Sequence, residues 1–310
     1  MLLGTQVNQV YSVLKSDFQK GIDEAKPIAD VLYETVPSEG ADNLYDWLAH
    51  IPGFRRWYDS QPRVKRNVTE KNFRVTNKRY GDTLAISVDK VNDNQLVSFR
   101  PQIKAMGKVG TLLNDELVFD LFNYGFTTVD GNNESVAGYD GLSWFNDAHP
   151  VGNSTIDNKG TAVLSETAYQ AAYQTLIGYK VQPDKMSTPR PLNGSFKMLL
   201  VVPPQLYGTA KEIIVNERKA SGATNTWVGS ADLLVAPYLT SATAWFLVNV
   251  GGAASPIFVQ DRESLQIVEK TPTNDTEAFM LDEIIVGAKR RCAALVTYPW
   301  LSYGSNGTTT

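Results

Sequence analysis

One apolar stripe constrains the fold of this chain more than any other feature. Ile103, Met106, Gly110, Leu113, Leu117 and Leu121 share one helical face, and Ala105, Val109, Leu112, Val118 and Phe122 widen it. Pro101 stands where a helix can open and Gly125 where one closes. The pattern predicts the longest helix of the chain, about 35 Å from end to end at 1.5 Å per residue.

Shorter signals surround it. Val7, Tyr11, Leu14, Phe18 and Ile22 recur every three or four residues, so the N-terminal segment reads as an amphipathic helix. Pro27 with Ile28, Val31 and Leu32 predicts a second short helix, and Leu44–Ala49 a third. Residues Thr127–Gly160 are rich in Gly, Asn, Asp and Ser and read as a long loop, anchored by Leu142, Trp144 and Phe145. Beyond Thr161 the pattern is mixed α+β. Ser165 can cap a helix through Tyr169, Tyr173 and Leu176. Met198–Val202 reads as a strand, and Pro203-Pro204 leads into a helix with Leu206, Ala210, Ile213 and Ile214 inside. Leu233–Gln260 carries no charge and is long enough to span a bilayer. Pro237, Asn249, Gly251, Gly252 and Pro256 interrupt it, so it reads as strands Asp232–Ala236, Ala244–Val250 and Ile257–Gln260. Leu265–Glu269 and a run from Glu277 to Tyr298 follow, and Ser305–Thr310 reads as a frayed tail.

Composition narrows the chemistry. With 43% hydrophobic and 20% charged residues in 310, the chain is an ordinary globular one. Its start has neither the basic nor the apolar region of a secretory signal. A single cysteine, Cys292, excludes an intrachain disulfide and a multi-cysteine metal site, and it reads as a small buried hydrophobe. Only His50 and His149 are present, which removes His-cluster chemistry. No phosphate loop, dinucleotide fingerprint or nucleophile elbow occurs; Gly107-Lys108 lacks the upstream glycine and the following Ser or Thr. The best catalytic candidate is Asp140, Asp147 and His149, where a carboxylate could orient an imidazole base. No nucleophile or oxyanion donor completes it, so Asp147-Ala148-His149-Pro150 reads as a turn. No cofactor and no metal is expected.

Charge is segregated. Between Arg55 and Arg79 nine basic residues face only Asp59 and Glu70, a local charge of +7 in a chain of −4, which leaves −11 elsewhere. Within this run Phe73–Asn77 and Thr83–Val88 alternate around Lys78–Asp82, a hairpin pattern. Two strands alone are marginal in water, so the hairpin needs support. Nucleic acid, solvent and an acidic neighbouring subunit are each compatible with its charge, and the acidic remainder favours the neighbour. Arg66, Lys71, Arg74, Lys78 and Arg79 are then the candidate inter-subunit cations, with Glu116 and Asp120, four apart on the long helix, as the acceptors.

The order of arm, basic hairpin, long helix and mixed half resembles the major head subunit of Mu-like bacteriophages, in the Hong Kong 97-type capsid family. Asp115-Glu116-Leu117-Val118, Gly125-Phe126-Thr127-Thr128, Tyr139-Asp140-Gly141, His149-Pro150-Val151-Gly152, Leu199 to Pro204 and Trp227 to Tyr238 carry the resemblance, across about residues 40–303. It implies an α+β capsid fold. Residues 1–53 would be an N-terminal arm, 54–98 an E-loop region and 99–160 a peripheral domain with a spine helix. Residues 161–247 would be an axial domain, and 248–310 a return to the peripheral domain with the C-terminal tail. It further implies a structural shell of hexamers and pentamers enclosing double-stranded DNA without sequence-specific binding. A separate scaffold, a portal and decoration proteins would be the partners, with no membrane, and assembly would take place in the host bacterial cytoplasm before residence in the virion. An encapsulin-like shell and a hydrolase using Asp147 and His149 are the alternatives.

Overall fold

The computed structural model describes residues 4–45, 73–93, 95–152, 154–182, 189–219, 222–252, 254–270 and 283–309. The first apolar face is helix α1 (Gly4–Glu24), which buries Tyr11, Leu14 and Phe18. The helix expected at Pro27 does not form. Ile28–Leu32 make a bend and turn that runs into strand β1 (Tyr33–Pro37), because the N–H groups of Ile28 and Ala29 bond to a side chain on another element. Leu44 ends strand β2 (Asp42–Leu44) instead of opening a helix; Asp46–Ala49 lie outside the described residues.

The expected hairpin is also replaced. Strands β3 (Arg74–Thr76) and β4 (Lys78–Ser87) are separated only by Asn77 and pair with different partners. β3 lies antiparallel to β2, and β4 lies antiparallel to the strand Glu283–Val296. Lys78–Asp82, read as a turn, stays extended because each residue has a partner there, from Lys78 opposite Cys292 to Asp82 opposite Ala288. The short helix α2 (Val88–Asn92) then precedes α3 (Arg100–Asn123), the long helix of the sequence, with Pro101 in its first turn.

The Gly- and Asn-rich stretch is mostly loop, with a small ribbon of β5 (His149–Val151) and β6 (Ser154–Ile156) before β7 (Lys159–Ala162). Ser165 caps α4 (Glu166–Gly178), accepting the Ala168 N–H at 3.2 Å. A ribbon of β8 (Lys180–Val181) and β9 (Arg190–Pro191) precedes β10 (Met198–Val202). Helix α5 (Tyr207–Ile214) turns Ala210, Ile213 and Ile214 inward. The uncharged run supplies β11 (Asp232–Val235), β12 (Trp245–Asn249) and the start of β13 (Ile257–Lys270). β13 absorbs Leu265–Glu269, expected as a separate strand, and pairs with β14 (Glu283–Val296). The tail is not frayed: β15 (Ser302–Thr309) lies between β12 and β7, with Ser302 and Ser305 fully buried.

Beside the three two-stranded ribbons, the described strands form two larger sheets, β1-β13-β14-β4 and β11-β10-β12-β15-β7. α1 and α3 cover the first, where Leu14, Phe18, Ile86, Ile103, Ile284 and Val286 form one core. Strand β10 is buried on both faces, as continuous apolar runs are. Leu199 and Val201 join Phe119, Phe122, Trp144, Phe145 and Phe246, while Met198, Leu200 and Val202 join Tyr169, Leu176, Ile213 and Trp245.

Candidate functional site

Of the candidate triad, two members meet. His149 and Asp140 are 2% and 1% exposed, with Nδ1 2.6 Å from Asp140 Oδ2. His149 Nε2 donates to the Trp144 carbonyl at 3.1 Å, since a carbonyl can only accept. Asp147 is exposed and takes no part. Burial works to raise the Asp140 carboxyl, but the hydrogen bond and charge of His149, with the Leu142 N–H, outweigh it and hold the group below the usual carboxylate range. Both ring nitrogens are engaged with protein, so His149 has no free nitrogen for a substrate. The pair instead ties the first residue of β5 to the turn at Asp140.

Removing it should therefore change stability and not chemistry. His149→Ala leaves a buried carboxylate unpaired, at about 3–5 kcal/mol. We expect a lower melting temperature by calorimetry. Because the folded Asp140 pKa lies below its unfolded value of about 3.9, its contribution is present above that pH and is lost as pH falls through the folded value. A hydrolytic activity abolished by His149→Ala with assembly intact would contradict this assignment.

Cys292 is buried on β14, and burial pushes its thiol up to about 11, as a packing residue requires. Among the described residues no group of three or more His, Cys, Asp or Glu side chains can hold a metal. None of the helices described is long and apolar enough to cross a membrane.

The candidate docking charges divide. Arg66 and Lys71 lie outside the described residues. Arg74 pairs with Asp42 at 2.9 Å, along the β2–β3 ribbon. Lys78 pairs with Glu134, with Asp130 at 3.9 Å. Arg79 is exposed on β4. Glu116 lines a cleft of about 450 Å³ between α3 and the four-stranded sheet, with Tyr80, Met106, Val109, Leu113 and Leu265. One turn along, partial burial raises the Asp120 carboxyl, helped by the charge of Asp130 and opposed by Asn123 and by Lys78. Lys78 thus sits among carboxylates of its own chain, Asp130 and Glu134 in the loop that follows α3.

Two features of α3 escaped sequence reasoning. Asp115 is 1% exposed, and its carboxylate accepts the N–H of Ile28 at 3.0 Å and of Ala29 at 3.0 Å. It lies on the face of Val118, Phe119 and Phe122, and an acid in that apolar register was the available signal. The second is a backbone-to-backbone crossing of α1 and α3 at Gly21 and Gly107. Arg100 with Asp17 at 2.5 Å and Lys104 with Glu24 at 2.6 Å flank it.

The chain matches the family model described as Mu-like prophage major head subunit gpT, over residues 7–174, 157–239 and 240–310. It is 23% identical over 280 residues to the major capsid protein of Escherichia phage Mu, covering 90% of this chain and 67% of that protein. It is 22% identical over 275 residues to the Mu-like prophage FluMu major head subunit of Haemophilus influenzae, covering 89% and 65%. The chain thus spans about two thirds of the length of these relatives. Its fold is similar to a chain of the procapsid of bacteriophage JBD30, at a TM-score of 0.58 and 18% identity, covering 98% of this chain and 76% of that one.

Proposed function

This chain belongs to the Mu-like prophage major head subunit gpT family, and from that premise we propose that it is the subunit of an icosahedral phage head shell. Its role is structural: it is not an enzyme. The observation that carries this reading is the family match along almost the whole chain, on a Hong Kong 97-type capsid fold with both sheets and the long helix. The buried, fully engaged His149 supports it against the hydrolase reading.

In the shell, copies of the chain form hexamers and pentamers, assembled in the host bacterial cytoplasm with a scaffold, a portal and decoration proteins. The shell encloses double-stranded DNA without reading its sequence. Residues 1–53 act as arm and 54–98 as E-loop region. Residues 99–160 and 248–310 act as peripheral domain, with β15 reaching back into the five-stranded sheet, and 161–247 as axial domain. Contact between subunits falls to Arg66, Lys71 and Arg79 against carboxylates such as Glu116 and Asp120. Arg74 and Lys78 contribute less to it, because they already have partners in their own chain.

Expressing the chain, alone and together with a scaffold, and examining the product by sedimentation and negative-stain microscopy tests the reading. Closed particles of megadalton mass are the expected result. A monodisperse monomer or dimer under every condition, scaffold included, would overturn it.

A further inference from the structure

Tyr45 and Phe73, the described residues on either side of the basic segment 46–72 in sequence, are joined by the Tyr45 N–H to the Phe73 carbonyl at 2.8 Å. The ribbon that carries them, β2 with β3, has three residues in each strand and buries too little to hold itself. A buried polar joint holds it. Gln260 on β13 is 0% exposed, and its amide oxygen and both amide N–H groups are engaged. Its oxygen accepts from Tyr45 Oη at 3.0 Å, and its nitrogen donates to the Val75 carbonyl at 3.0 Å and to Asn77 Oδ1 at 2.8 Å. Asn77 in turn donates to Ser38 Oγ at 2.8 Å and to the Gly40 carbonyl at 3.1 Å. Ser38 donates on to Asn43 Oδ1 at 2.9 Å. Two hydrogen-bonded amides thus link the sheet to both strands of the ribbon. Tyr45, Phe73, Val75 and Phe258 pack around the joint.

An apolar side chain on β13 could fill this core without the desolvation of two amides. A satisfied polar network gives what apolar filler does not, a single arrangement of its partners. We propose that Gln260 is a positioning residue for the β2–β3 ribbon. It fixes the placement of the two strands between which the sequence carries six further basic residues, Arg55, Arg56, Arg63, Lys65, Arg66 and Lys71, and shell assembly depends on that placement of the ribbon. The assembly half of this inference rests on the shell reading; the positioning half does not.

Gln260→Met keeps the volume and removes the joint. Hydrogen exchange on the whole chain should show Asn43–Tyr45 and Val75–Asn77 exchanging at least about tenfold faster, with β10 and β12 unchanged. The yield of closed shells should fall by a similar factor. Leu176→Val, in the other core, serves as a variant of comparable loss in melting temperature and should assemble as the parent does. Tyr45→Phe removes the hydroxyl's hydrogen bonds to Gln260 and from Asn43 without opening a cavity and should loosen the same peptides by about threefold, which keeps the test available if Gln260→Met does not fold. Unchanged protection of the ribbon in both variants overturns the proposal. So does a loosened ribbon with full shell yield, or an equal loss of shells in Leu176→Val. A parent that forms no shells would count against the shell reading alone, since the exchange result is read on the unassembled chain.

Discussion

Gly107→Ala should destabilise the protein by about 2–3 kcal/mol, the scale of overpacking a tight core. The same replacement in an open helix gains about 1 kcal/mol, so the sign itself is the test. A Cβ on Gly107 would collide with the Phe18 carbonyl oxygen and lie 3.3 Å from the Ile22 nitrogen. A Cβ on Gly21 would collide likewise with the Lys104 carbonyl oxygen. These are backbone atoms of helices already packed, and neither can rotate aside as a side chain does. α1 would have to retreat from α3, uncovering Tyr11, Leu14 and Phe18, each worth about 1.5–3 kcal/mol when fully buried. Gly110 is the control on the same helix. The atoms nearest its added methyl belong to the Leu265 side chain, at 2.7 Å, which can turn away. Thermal unfolding should show a clear loss for Gly107→Ala and little change for Gly110→Ala. Equal melting temperatures, or a gain at Gly107, would refute the close crossing.

Local periodicity carried most of the helices and the buried strands into view. The stripe from Ile103 to Leu121 became α3, and the Ser165 cap and the five apolar residues of β10 stand where their patterns put them. What local pattern cannot carry is a partner distant in sequence. Lys78-Arg79-Tyr80-Gly81-Asp82 has the composition of a turn, yet it is strand because Ala288–Cys292 lie opposite it. The tail misled for a related reason. Its small polar residues read as fraying, but they are what the site admits. Gly304 lies where a Cβ would meet the Phe145 ring at 2.7 Å, and Ser305 donates to the Ala162 carbonyl at 2.5 Å. Smallness in β15 is a packing requirement set by residues elsewhere in the chain.

The candidate site divided along the same line. The coupling of His149 to the fold was legible as a structural turn, although its carboxylate is Asp140 and not the nearer Asp147. The charge run was legible as composition but not as geometry, since nothing local tells that Lys78 will face Glu134 and Arg74 face Asp42. Gly107 entered the sequence argument only as a fragment of a rejected phosphate loop, and Asp115 only within a stretch that carried the family resemblance.

Asp115→Ala should be the most disruptive single change on α3. The carboxylate is buried and accepts backbone N–H groups from residues 86 and 87 positions upstream. Hydrogen bonds to a charged acceptor contribute about 1.5–3 kcal/mol each, and removal strands two donors, of which Ala29 is fully buried. A loss of about 3–6 kcal/mol follows for two such bonds. Its structural consequence is directional. Ile28 and Ala29 lead into β1, which lies at the edge of the four-stranded sheet and pairs only with β13 among the described strands. Loosening the turn should therefore loosen the edge strand, while β10 and β12 in the other sheet keep their protection. Asp115→Asn retains an accepting oxygen but turns an N–H₂ toward one donor, so it should lose about half as much. Denaturant unfolding gives the two losses, and hydrogen exchange over Ile28–Pro37 gives their location. Equal losses for alanine and asparagine would show that the carboxylate's charge and second oxygen do not matter. A loss with unchanged exchange over Ile28–Pro37 would show that Asp115 supports only its own helix, and that the turn into β1 is held by other contacts, the β1–β13 pairing among them.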